Sequence, residues 1–278
     1  MRARLWGTRG SVAAPGADTA RYGGNTSCVE VRGPQGTVLV LDAGTGIRPL
    51  GRALEGTLRR VDVVLTHLHL DHIQGLGFFA PLYDPDVETH LWGPASTTLG
   101  LRGRLQRYLS PPLFPVHLRD IRGLVLHDLP IGEFDIGEFR VTADRICHQG
   151  FTVGYRIAAG GATLAYLSDH EPALGVPRFP LRADWTSGYA LARDADLLVH
   201  DAQYALPEYE EHVGWGHSAL EHTLAFAELA AARHLVTFHH DPAHDDEAID
   251  RMTAEARAAV PVRCTVTTGA EGAVFEVG

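Results

Sequence analysis

Five short apolar runs in this chain end in histidine or aspartate, and that recurrence limits the fold more than any other feature. "VDVVLT" runs into "HLHLDH", "TLAYLSD" stops at Asp169, "DLLVHD" at Asp201 and "HLVTF" at His239, while "FRVTADRIC" leads to His148. Runs of this length, rich in Val, Leu, Ile and Thr, read as strands, and the Gly, Pro and Asp signals between them read as turns. Strands of a sheet end together at its edge, where loops in α/β proteins build sites. The five ends are therefore expected to converge on one pocket.

Further strand-like runs ("ARLW", "CVEV", "TVLVLD", "VGYRI", "AVFEV") spread the same framework from end to end. Between them, helix-like segments are expected at "IRPLGRALEG", "ASTTLGLRGRLQRYL" from Ala95, "SALEHTLAFAELAAA" from Ser218, and "DDEAIDRMTAEARAAV". Ser218 with Glu221 fits a capping box, and Asp245 or Asp246 can cap the last helix. No repeat, low-complexity tract or linker divides the chain, so one domain spanning 1–278 is expected. The Pro-rich "LSPPLFPVHLRD" and the segment "EPALGVPRFPLRADWTSGYALARD" are the least regular parts, and are candidates for a lid, a substrate rim or a subunit contact.

Composition narrows the partners. With 45% hydrophobic residues the chain can bury a substantial core, yet no run reaches the roughly 18 uncharged apolar residues of a spanning helix. A soluble, cytoplasmic protein without a membrane partner is expected. Cys28, Cys147 and Cys264 have no CxxC spacing and read as reduced thiols. The formal charge of -10, with arginine as the only fixed side-chain cation, argues against a general polyanion-binding surface. A small substrate is favoured and no extended nucleic acid is expected; a homo-oligomer is left open.

Within "THLHLDH", extended alternation puts His67 and His69 on one side, and Asp71 and His72 follow as the chain turns. A catalytic metal takes three or four protein groups and keeps one position for water. One ion cannot use everything these strand ends offer. Two ions roughly 3.5–4 Å apart, sharing a carboxylate and a water, could.

These residues resemble the signature of the metallo-β-lactamase superfamily, with His148 in "CHQGFTVGYRI", Asp169 in "AYLSDHEP" and His239 in "FHHDP" standing where its later ligands stand. "WGTRGS", "YGGNTSC", "LDAGTG" and "GWGHSALEH" draw the likeness toward its phosphodiesterase branch, which holds tRNase Z-like nucleases and small cyclic-phosphodiester hydrolases. The resemblance implies an α/β four-layer αβ/βα sandwich with the metals at the edge between its halves. It assigns His67, His69 and His148 to one ion, Asp71, His72 and His239 to the other, and Asp169 to the bridge. The implied cofactors are two divalent ions, zinc first, with manganese or iron as alternatives, and a water held between them would be the nucleophile.

The resemblance also gives His217 the part of proton donor, with Asp201 as the carboxylate holding it protonated; Asp71 joins them in the catalytic set. Asp42 is expected to orient a ligand imidazole. Asn25, Thr26 or Ser27 could line the pocket, and His170 and His240 could touch substrate. Histidines without motif context, His212 and His244 among them, read as solvated or core. The expected activity is hydrolysis of small or cyclic phosphodiesters. A nuclease, a lactone or thioester hydrolase, and a non-catalytic metal module are the alternatives.

Overall fold

The computed structural model describes residues 1–172, 174, 179 and 182–278. Two seven-stranded sheets form its centre. The first holds β1 (Arg2–Gly7), β2 (Cys28–Arg32), β3 (Val38–Leu41), β4 (Arg60–Val64), β5 (Glu88–Pro94), β6 (Leu124–Leu129) and β14 (Val274–Glu276), in the order β14-β1-β2-β3-β4-β5-β6. The second holds β7 (Gly132–Ile136), β8 (Phe139–Arg145), β9 (Val153–Ala159), β10 (Ala162–Leu167), β11 (Leu197–Asp201), β12 (His234–Phe238) and β13 (Thr265–Thr268), in the order β13-β12-β11-β10-β9-β8-β7.

Alternation along the strands explains the layering. Leu39 and Leu41 point into a core shared with Phe139, Tyr155, Tyr166 and Phe238 of the opposite sheet. Val38 and Val40, one residue out of phase, face the other way and pack with Ile47, Leu50 and Leu101. The α-helices are α1 (Ile47–Leu54), α2 (Leu70–Ile73), α3 (Leu101–Leu105), α4 (Tyr189–Ala192), α5 (Leu206–Glu211), α6 (Leu220–Leu229) and α7 (Asp246–Ala259). α1 and α3 cover the first sheet, whereas α4, α6 and α7 cover the second through Leu191, Leu224, Phe226 and Ala256. Helix, sheet, sheet, helix is the four-layer αβ/βα sandwich expected from the sequence.

Each sheet is antiparallel on one side and parallel on the other: β3 to β6 run parallel, and so do β10 to β13. Parallel strands finish at one edge, and crevices outside their carboxyl ends are where open α/β sheets bind ligands. The apolar runs that end in His and Asp are β4, β10, β11 and β12, joined there by the loop after β8.

Local expectations met mixed outcomes. Asp245 caps α7, its carboxylate accepting from the Ala248 N–H at 2.6 Å. Ser218 caps nothing: its hydroxyl donates to the His170 carbonyl at 2.6 Å, and α6 starts at Leu220 without a side-chain cap. The long segment from Ala95 yields only the five residues of α3. The Pro-rich stretch is packed down, with Leu109, Phe114 and Leu118 buried in the outer core of the first sheet. Of the second irregular segment, residues 173, 175–178, 180 and 181 lie outside the described residues. Among the described residues no helix is long and apolar enough to cross a membrane, and all three cysteines are free.

Candidate metal centre

The loop after β4 brings His67 and His69 to the sheet edge, α2 presents Asp71 and His72 one turn later, and the ends of β8, β10 and β12 deliver His148, Asp169 and His239. Ligand-type atoms of His67, His69, His148 and Asp169 lie within 4.8 Å of one another, as do those of Asp71, His72, Asp169 and His239. Asp169 alone belongs to both groups. Its Oδ1 is 3.0 Å from His72 Nε2, and its Oδ2 is 3.3 Å from His239 Nε2 and 3.7 Å from both His67 Nε2 and His148 Nε2.

The second nitrogen of each buried imidazole is spoken for. His72 Nδ1 donates to Asp42 Oδ2 at 2.9 Å, His239 Nδ1 to Gln203 Oε1 at 2.9 Å, and His148 Nδ1 to the Gly216 carbonyl at 2.8 Å. His67 Nδ1 lies 3.0 Å from the Thr66 hydroxyl. With one nitrogen fixed outward, the other is aimed inward, the arrangement typical of ligating histidines. Asp42 also accepts from the Thr66 N–H and from Tyr166 Oη, so it orients His72 as expected.

Two residues of this constellation sit in left-handed backbone, Asp42 at φ 60° and His239 at φ 61°. That region is uncommon for side-chain-bearing residues and tends to mark functional sites.

The inward atoms fit a metal. His67 Nε2 is buried and has no hydrogen-bond partner, a costly condition that a cation would relieve. The donor set, imidazole nitrogens with carboxylate oxygens, suits a divalent ion such as zinc. Charge differs between the two groups. Burial and the neighbouring His72 keep His67 neutral, and burial pushes His148 down to about 4. Burial also opposes charge on His72 and His239, but the carboxylates around them outweigh it, raising His72 well above its usual range and His239 to about 9. Asp169, despite its burial, is held well below the usual carboxylate range by His239, His72 and His67.

Beside this cluster stands His217, at the mouth of α6. Its ring stacks on His239 at 4.9 Å and meets His148 edge-on at 4.9 Å. His217 Nδ1 is 2.7 Å from Asp201 Oδ2. Asp201 is fully buried and accepts further from the Gln203 and Ser218 N–H groups. The structure thus brings together all the residues singled out as ligands, proton donor and its partner.

Others fall elsewhere. Asn25 Nδ2 donates to Glu271, and Thr26 Oγ1 accepts from the Thr45 N–H, so both hold turns. His170 is buried against His200, and His240 against the Gly269 carbonyl. His212 and His244, read as background, instead line a cavity of about 380 Å³ next to His217. Glu171 was overlooked altogether. Buried two residues after Asp169, its carboxylate accepts from the Gly214 and Gly216 N–H groups and from Tyr209 Oη, stapling the "GWG" loop beneath His217. The only trace in the sequence was the acid in "SDHEP".

An αβ/βα sandwich with two overlapping His/Asp ligand groups at the edge between its sheets defines a metallo-hydrolase. A family model described as a beta-lactamase superfamily domain matches residues 37–240, and the chain belongs to that superfamily. It is similar to ribonuclease BN of Cronobacter sakazakii, 27% identical over 271 residues that span 80% of this chain and 84% of that one. Among solved structures, the short form of human tRNase Z superposes with a TM-score of 0.70 at 21% identity, covering all of both chains. A diphosphatase of the PhnP family gives 0.69 at 19% identity, covering 99% of this chain and 97% of that one.

These relatives correct one expectation. Curated relatives named ribonuclease act on RNA, so the exclusion of extended nucleic acid does not stand. A net charge is a sum over the whole surface, whereas phosphate affinity depends on where individual cations sit. The sum of -10 was therefore no ground for excluding such a partner.

Proposed function

We propose that the chain hydrolyses phosphodiesters at a centre of two divalent ions, zinc first among the candidates. His67, His69 and His148 would hold one ion, Asp71, His72 and His239 the other, and Asp169 both. When bound, such ions supply Lewis acidity toward the phosphoryl oxygens and an activated water. The observation that carries the reading is the His217–Asp201 pair, buried against His239 and His148 yet taking no place among the seven ligands.

Breaking a phosphodiester expels an alkoxide, a poor leaving group unless it gains a proton. His217 offers that proton from Nε2, because Asp201 occupies Nδ1 and fixes the ring's orientation. Asp201 acts through His217 and is a positioning residue. Asp71 is locked in place by the Ser11 N–H at 2.8 Å and by His239 at 3.2 Å.

The test is a screen of the zinc- or manganese-loaded protein on bis(p-nitrophenyl) phosphate, cyclic nucleotides, RNA with a 3′ extension, a lactone, a thioester and a β-lactam. Turnover of phosphodiesters with little or none of the acyl substrates is expected, and the RNA and small-molecule arms measure substrate length. Turnover confined to the lactone, thioester or β-lactam would overturn the reading.

A further inference from the structure

Among the described residues Arg9 is the one buried arginine, and burying a cation is costly unless its donors are used. Its donors go to main chain. Nε donates to the Gly23 carbonyl at 2.7 Å, and Nη1 to the carbonyls of His244 at 2.7 Å and Asp241 at 3.1 Å. The nearby carboxylate of Asp246 stands 3.9 Å from Nη2, and its two oxygens accept from the Arg21 N–H at 2.8 Å and the Tyr22 N–H at 3.2 Å. One planar fork thus gathers two loops, although 232 positions separate Arg9 from Asp241 in the chain.

These loops adjoin the second ligand group. The Gly10 N–H donates to the His240 carbonyl at 2.9 Å and the His240 N–H to the Thr8 carbonyl at 2.9 Å, so the backbone on both sides of Arg9 is laced to the segment that carries His239. Gly10 lies against that ligand. A Cβ added there would stand 2.4 Å from both Cε1 and Nδ1 of the His239 ring. At Ser11 the chain enters left-handed backbone, φ 56°, and the Ser11 N–H meets Asp71 Oδ2 at 2.8 Å.

A second route runs through Asp241. Its carbonyl is held by Arg9, its Oδ2 accepts from Gln203 Nε2 at 3.1 Å, and Gln203 Oε1 accepts from His239 Nδ1 at 2.9 Å. Both routes end on Asp71 or His239. None of their hydrogen bonds involves His67, His69 or His148.

We propose that Arg9 is a positioning residue for one of the two metal sites: by pinning three main-chain carbonyls it fixes Asp71 and His239, and so sets the affinity of the group Asp71, His72 and His239 without touching that of His67, His69 and His148. The inference rests on the two-ion reading and adds a residue that ligates neither ion. A lysine would replace it only in part, because an ammonium is a point charge and lacks the guanidinium fork.

The experiment measures zinc affinity by competition with a chromogenic chelator in two backgrounds: His67→Ala, which keeps the second group intact, and Asp71→Ala, which keeps the first. Adding Arg9→Gln to His67→Ala should weaken zinc binding on the order of 10- to 100-fold, the scale on which supports of ligating residues act. In Asp71→Ala the same change should leave the affinity as it was. Arg9→Lys in the His67→Ala background should fall between Arg9→Gln and the parent. A general weakening of the fold would lower both affinities alike.

A loss as large in Asp71→Ala as in His67→Ala, or no loss in either, overturns the positioning role. If Arg9→Gln does not fold, Arg9→Lys is read by the same comparison, and an undiminished affinity in His67→Ala then overturns the role. Parent variants that bind no zinc remove the two-ion reading and the inference with it, whereas parents that each bind one ion keep that reading standing whatever the Arg9 variants do.

Discussion

The two ligand groups meeting at Asp169 are built on opposite electrostatic plans. His67, His69 and His148 form a neutral set, with an orphaned nitrogen on His67 and no carboxylate of its own besides the shared Asp169. Asp71, His72 and His239 are already ion-paired: Asp71 Oδ2 lies 3.2 Å from both His72 Nε2 and His239 Nε2. Burial keeps His67 and His148 neutral, whereas the carboxylates around His72 and His239 favour their protonated forms. A metal bound by the second set would have to displace protons from His72 and His239, whereas the first set would bind one without that exchange.

The largest expected effect breaks the comparison at its shared member. Asp169→Ala should empty both sites, giving well below one ion per chain by elemental analysis and a fall in activity of more than about 10³-fold. His67→Ala should remove mainly one ion, and a variant that kept two would contradict the grouping.

Next in size is the proton donor outside both groups. His217→Ala should keep its metal but slow cleavage of alkyl phosphodiesters by on the order of 10²–10⁴-fold. A p-nitrophenyl ester should lose much less, since nitrophenolate departs unaided. Equal losses on the two ester types at unchanged metal content would remove His217 from this part. Asp201→Asn should show the same contrast more mildly, by loosening the ring's orientation.

The smallest effect sharpens the electrostatic contrast directly, in metal-free protein. His239 has a folded pKa of about 9 against an unfolded value near 6.5, so its contribution is fully present below about pH 6.5 and is lost as pH rises toward 9. His148, lowered to about 4, works the other way: below about pH 6.5 the unfolded chain takes up the proton first, and stability falls as pH falls. Each limb has a maximal slope of about 1.4 kcal/mol per pH unit per group. Thermal melts from pH 5 to 9 should show a maximum between the limbs. His239→Ala should flatten the alkaline limb and His148→Ala the acid one, while unchanged profiles would show that the two sets do not differ in charge.

Much of this was legible because it is local. Strand ends carry their ligands in contiguous text, and period-two alternation assigns residues such as Leu39 and Val40 to opposite faces. The supports are not contiguous. Glu171 gains its meaning from Gly214 and Gly216, more than forty positions away, and His148 takes its orientation from a backbone carbonyl, which no side-chain pattern records. Left-handed backbone at Asp42 and His239 leaves no compositional mark, because the residue that usually signals it is glycine. Ser218 misled as a cap because its hydroxyl found a tertiary partner first.

Asp71 and His239 meet although 168 positions separate them in the chain, and they come from opposite sheets. An ion gripping both is a reversible cross-link, and closing so long a loop removes much of the freedom of the unfolded chain. Occupancy of this edge would then govern how firmly the two halves of the sandwich are fastened, giving the ions a mechanical duty as tethers alongside their chemical one.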